Sequence, residues 1–157
     1  MTDLYCSGNA LTTLNVSKNT ALESLDCGDN QLTTLDVSKN TALTDLRCNN
    51  NNLTDLDVTN NTELTYLDCS NQSITSLNVS KNTKLQVFIC NGNDLAELDI
   101  TNNTALKELF CGKQTSDGSA TQELALTLTA AQKTTWNDEW KTLPRNAAVT
   151  VPAETAE

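Results

Sequence analysis

The chain carries six cysteines, Cys6, Cys27, Cys48, Cys69, Cys90 and Cys111, each 21 residues after the last. Thiols at fixed spacing suggest disulfides, a metal site or a buried structural row. A disulfide needs Cβ atoms ~3.8 Å apart, closer than parallel strands in register bring them. Structural zinc needs four ligands converging on a tetrahedron, usually supplied by CxxC pairs, and no such pair occurs. A thiol also serves as a small hydrophobe. The reading this favours is a stacked row of free, buried thiols, so the question becomes which elements stack them.

Aligned on its cysteines, the chain reads LxxLxCxxNxLxxLxVSxNTx. Two residues before each cysteine stand Leu4, Leu25, Leu46, Leu67, Phe88 and Leu109; eight after stand Leu14, Leu35, Leu56, Leu77 and Leu98. The β-branched Val16, Val37, Val58, Val79 and Ile100 follow at ten. A period of 20 to 29 residues with LxxLxLxxN spacing marks a leucine-rich repeat. The sequence therefore predicts a right-handed leucine-rich repeat solenoid of about five turns, with a parallel β-sheet on one face and short extended or turn segments on the other. In LESLDC, Leu25 and Cys27 alternate with Ser24 and Asp26, so the first pair points inward and the second outward. Equivalent strands ~4.8 Å apart turn each inward position into a ladder. Asn9, Asn30, Asn51 and Asn93, with Gln72 and Gln114 as departures, are expected to satisfy backbone groups at one bend. Asn19, Asn40, Asn61, Asn82 and Asn103 are expected to do so at the other.

Two segments, LESLDCGDNQLTTLDVSKNTAL and LTYLDCSNQSITSLNVSKNTKL, resemble the 21-residue, cysteine-bearing repeats of internalin J and of leucine-rich repeat surface proteins from Bacteroidetes. The resemblance covers residues 1 to about 111. It implies a secreted or cell-surface bacterial protein used in adhesion or protein binding, and it transfers no catalytic residue.

The rest of the chain bounds the answer. With a net charge of −10 and no histidine, the chain is ill suited to nucleic acid, whose binding rests on Lys and Arg meeting phosphates, or to an anionic membrane surface. No apolar run approaches the ~18 residues of a membrane span. No Ser/Lys or paired-carboxylate constellation stands apart from the repeat, so the chain reads as non-enzymatic, with no cofactor and no metal. It opens MTDLYC, already inside the repeat and without a signal peptide, and is read as a piece of a longer protein whose first strand could pair with an upstream domain or another copy. The array is assigned to residues 1–111, and a capping segment to 112–152. Within the cap, ELALTLT is read as a strand, Thr129 to Gln132 as a capping box opening a helix, and AAVTV (147 to 151) as a further strand. Lys141 and Pro144 mark the helix end. Trp136 and Trp140 share one face of that helix and read as a plug over the last turn. Residues 153–157 are read as a disordered tail.

A binding site should show where outward positions violate the repeat. Along the cysteine strands the first three turns are mostly small and polar, whereas Tyr66, Val87, Ile89 and Phe110 fall side by side. Contiguous apolar patches mark interaction sites, and aromatics near an arginine are usual interface anchors. The candidate site is thus Arg47, Tyr66, Asp68, Val87, Ile89, Glu108 and Phe110, with cross-strand packing or cover by the C-terminal segment as the structural alternative. A second row, Asn15, Asp36, Asp57, Asn78 and Asp99, could hold calcium through its oxygens, but fits better as partner to lysines or turn amides. Three functions compete: a protein-binding module, a spacer in a larger envelope protein, and a glycan-binding module. The aliphatic Val87 and Ile89 favour a protein ligand.

Overall fold

The computed structural model describes residues 1–112, 124–138 and 149–150. Five strands of three residues each, β1 (Asp3–Tyr5), β2 (Ser24–Asp26), β3 (Asp45–Arg47), β4 (Tyr66–Asp68) and β5 (Val87–Ile89), are followed by β6 (Glu97–Asp99) and β7 (Glu108–Phe110). All but β6 form one parallel sheet in chain order, each pair in register at the 21-residue offset: Leu4 lies opposite Leu25, Leu25 opposite Leu46, and Leu46 opposite Leu67. The middle residue of each strand and the following cysteine enter the core, where Leu25, Cys27, Leu46, Cys48, Leu67, Cys69, Phe88 and Cys90 are fully buried. Leu4 and Cys6, on the edge strand β1 and just after it, are only partly covered. All six cysteines are free thiols.

After each cysteine the chain must turn sharply. The residue two past the cysteine is left-handed in every described turn: Gly8 and Gly92 at φ 70°, Asp29 and Asn50 at 52°, Asn71 at 54°. Glycine, asparagine and aspartate are the residues that tolerate this region. At Gly92 a Cβ would approach Asn71 Oδ1 to 2.4 Å, so a larger residue there would first have to displace that side chain.

The next residue carries the first amide ladder. Asn51 Nδ2 donates to the carbonyls of Cys27, Cys48 and Asn49, while its Oδ1 accepts from Leu32 N–H at 2.9 Å. Asn30 does the same one turn earlier, so Cys27 O accepts from two successive ladder amides. Gln72 performs both roles at its rung, donating to Cys48 O and accepting from Leu53 N–H. The second ladder works by donation alone. Asn40, Asn61, Asn82 and Asn103 each donate Nδ2 to two carbonyls of the preceding turns, at 2.8 to 3.0 Å. Their Oδ1 atoms have no hydrogen-bond partner.

The cap continues the back of the array. β8 (Leu124–Thr127) pairs in parallel with β6, with Leu98 opposite Leu126, and β9 (Val149–Thr150) pairs with β8. The offset from Leu98 to Leu126 is 28 residues, seven more than the repeat, so the back half-turn resumes after an insertion. The back face therefore carries a true three-stranded sheet at this end: β8 and β9 fall within the segments ELALTLT and AAVTV read as strands, whereas β6 lies where the sequence suggested only an extended or turn segment. Helix α1 (Ala130–Asp138) lies between β8 and β9 in the chain.

The expected capping box is present: Gln132 N–H donates to Thr129 Oγ1 and Thr129 N–H to Gln132 Oε1. Gln132 also does more. Its Nε2 donates to Ile100 O and Asn103 O, the two carbonyls that a further ladder asparagine would take. Gln132 thus ends the ladder, and Trp136, 3% exposed, packs into the core. Replacing Gln132 with alanine is expected to cost about 2 kcal/mol, since it removes two buried donors and half the capping box; chemical denaturation with a helix-sensitive far-UV signal would measure it. The expectations for Gln114, Trp140, Lys141, Pro144 and the 153–157 tail lie outside the described residues.

Candidate functional site on the outward face of the cysteine sheet

Alternation places the first and third residues of each strand on the face opposite the core. Strand pairing then fixes which of the predicted residues meet. Arg47 lies beside Asp68, Tyr66 beside Val87, Asp68 beside Ile89, Val87 beside Glu108, and Ile89 beside Phe110. All seven predicted residues thus fall on four adjacent strands, β3, β4, β5 and β7.

Arg47 organises the polar side. Its guanidinium grips Asp45 in a fork, Nε to Oδ1 at 3.0 Å and Nη2 to Oδ2 at 3.1 Å, and lies 4.5 Å from the centroid of the Tyr66 ring. The Asp45 hydrogen bonds raise the arginine pKa further. Exposed pairs of this kind add little stability. Their effect is positional: the cation is held over the ring, and the ring is presented half-buried. Burial, then the Asp68 carboxylate, push the Tyr66 phenol above its usual value, so it stays a neutral hydrogen-bond donor. Asp68 is fixed in turn by accepting from Ser70 N–H and Oγ–H.

The apolar side is uneven. Val87 and Phe110 are half-buried, and Glu108 is exposed. Ile89 is only 7% exposed although it is not part of the inner core. It forms the floor of the patch between Asp68 and Phe110, and the reachable apolar surface is Tyr66, Val87 and Phe110. Asp45, the carboxylate that aims Arg47, was not among the residues predicted from sequence. The available signal was its position two residues before Arg47, on the same face of the same strand.

The second row is occupied by local bonding. Asn15, Asp36, Asp57, Asn78 and Asp99 each accept, through Oδ1, the backbone N–H two residues on. Hydrogen bonds from Ser38 and Thr59 hold the Asp36 and Asp57 carboxyls below the usual range. A shallow groove of about 560 Å³ runs past Thr33, Asp36, Thr54 and Asp57, and among the described residues no group of three metal-binding side chains converges.

A parallel solenoid of 21-residue turns with inward leucines, a stacked row of buried thiols and two amide ladders defines a leucine-rich repeat protein of the cysteine-ladder type. The particular likeness is to the functional domain of internalin J from Listeria monocytogenes, described as including a cysteine ladder: 43% identity over 74% of this chain and 25% of that one, TM-score 0.70. Similar folds at lower identity are a leucine-rich repeat protein of Leptospira interrogans (24%, 81% of this chain and 33% of that one, TM-score 0.69) and internalin F of L. monocytogenes (21%, 97% and 41%, TM-score 0.64). The chain thus spans between a quarter and about two-fifths of the length of these structures. No family model and no curated protein sequence matches the chain.

Proposed function

We propose that the chain is a non-enzymatic protein-binding module, used in adhesion by a secreted or surface-exposed bacterial protein, that binds through the outward face of the cysteine sheet. Tyr66, Val87 and Phe110 make the contact over the Ile89 floor, with Arg47, Asp68 and Glu108 at the rim. The observation that carries this reading is where the repeat breaks. The same outward positions hold Asp3, Ser24 and Asp45 on the first three strands and Tyr66 and Val87 on the next two. A spacer needs no such change, because the core beneath is uniform. The internalin-like fold supports the same reading.

The test is a Val87→Asp, Phe110→Asp double variant, compared with wild type on an array of host proteins and mucin-type glycans. Ile89 is left intact because it is buried. Circular dichroism checks that both chains are folded. A protein partner of the wild type is expected to lose at least about tenfold in affinity for the variant. Equal binding by both chains overturns the site, a partner found only among the glycans overturns the protein reading, and silence from both chains leaves the spacer.

A further inference from the structure

Among the described residues the charges are segregated. The outward positions of the cysteine strands hold five carboxylates, Asp3, Asp26, Asp45, Asp68 and Glu108, and one cation, Arg47. That cation is already bonded to Asp45 and stands in register between Asp26 and Asp68, so among the described residues five carboxylates share one cation on this face. The described lysines lie elsewhere. Lys18, Lys39 and Lys81 occupy the second bend, Lys84 pairs with Glu63 at 2.6 Å, Lys107 donates to Gln86 just before β7, and Lys133 is on α1. Among the described residues, no lysine stands at an outward position of a cysteine strand.

Resting on the binding site proposed above, we infer the chemistry of its partner: a cationic polypeptide segment in which lysine or arginine flanks an apolar side chain. The apolar side chain sits on Val87 and Phe110. Asp68 on β4 and Glu108 on β7 lie two strands apart, about 10 Å across the sheet, and bracket that seat. Asp26 extends the acidic side beyond Arg47. Complementary charge of this kind steers encounter and rejects partners of the wrong sign. A sialylated or sulfated glycan has the wrong sign for this face.

The probe is a synthetic peptide of about a dozen residues alternating lysine with leucine and phenylalanine, beside counterparts carrying glutamate or serine in place of lysine. Only the lysine peptide is expected to bind wild type. Its affinity should fall at least about tenfold when salt rises from about 50 to about 500 mM. The Asp26→Asn, Asp68→Asn, Glu108→Gln variant should show a similar loss at low salt.

The control removes the same charge from the other row: Asp36→Asn, Asp57→Asn, Asp99→Asn. That row already carries Asn15 and Asn78 in the same hydrogen bond, so the fold tolerates the change, and binding is expected to stay within about twofold of wild type. The inference is overturned if the control weakens binding as much as the face variant, if the serine or glutamate peptide binds as well, or if the lysine peptide does not bind. The two proposals fail separately. An array partner lost by the Val87→Asp, Phe110→Asp variant but kept by the face-charge variant preserves the site and removes the cationic partner.

Discussion

Replacing Asn51 with alanine is expected to destabilise the chain by about 3 kcal/mol, whereas glutamine at the same position should cost less than about 1.5 kcal/mol. The backbone groups that lose a partner decide the difference. Asn51 supplies donors to three carbonyls and accepts from Leu32 N–H. Two of those carbonyls keep a second donor, since Asn30 also reaches Cys27 O and Gln72 reaches Cys48 O. Leu32 N–H has no such reserve, and Leu32 is fully buried. A buried donor left unmade costs roughly 1–3 kcal/mol, and the small cavity adds to it. Glutamine is tolerated because Gln72 already fills both roles one turn later. The loss should also reduce cooperativity, because turns of a solenoid are held by their neighbours. Urea denaturation of wild type and both variants measures midpoint and slope together. Equal losses for alanine and glutamine would show that the ladder is held by size and not by hydrogen bonding.

The second expected result concerns the thiols. At about pH 8 a small alkylating reagent should modify Cys6 first, and the other five at least about a thousandfold more slowly than in the unfolded chain, until denaturant is added. Burial, with smaller contributions from Cys6 and Asp26, pushes Cys27 up to about 12 from 9.0. A rise of that size cuts the reactive thiolate about a thousandfold. Burial also pushes Cys48, Cys69, Cys90 and Cys111 well above the ordinary thiol value. Cys6 follows the edge strand, is only partly covered and is shifted less. Because these folded-state values lie above the unfolded one, the thiols stabilise the fold fully below about pH 9. That contribution is lost as pH rises from about 9 towards 12. Mass spectrometry after timed labelling gives the count directly. Rapid modification of Cys48 or Cys69 in the native chain would mean the row is not core.

Much of this was legible in the sequence, for reasons that differ by element. One period of 21 residues sets strand register, because each turn is held only by identical contacts to its neighbours. The inward Leu25, Cys27, Leu46 and Cys48 follow from alternation, and the capping box followed from Thr129 and Gln132 alone. Three features needed coordinates. The back half-turn resumes at Leu126 after seven extra residues, and an insertion hides a repeat from any search at fixed spacing. Gln132 finishes the amide ladder from a helix, a position that no count along the 21-residue period reaches. On the candidate face, composition located the patch, but side-chain placement divided it. Ile89 sank between Asp68 and Phe110, while Arg47 was turned onto Tyr66 by Asp45.

Binding is expected where the outward rows abandon the repeat, and hydroxyl-radical footprinting of the chain with its captured protein partner tests this most directly. The chain has two tyrosines on this sheet: Tyr5 on β1, 69% exposed, and Tyr66 on β4. Tyr66, Val87 and Phe110 are expected to lose labelling in the complex while Tyr5 keeps it. Protection of Tyr5 with unchanged labelling of Tyr66 and Phe110 would move the site to the β1 edge and contradict the proposal.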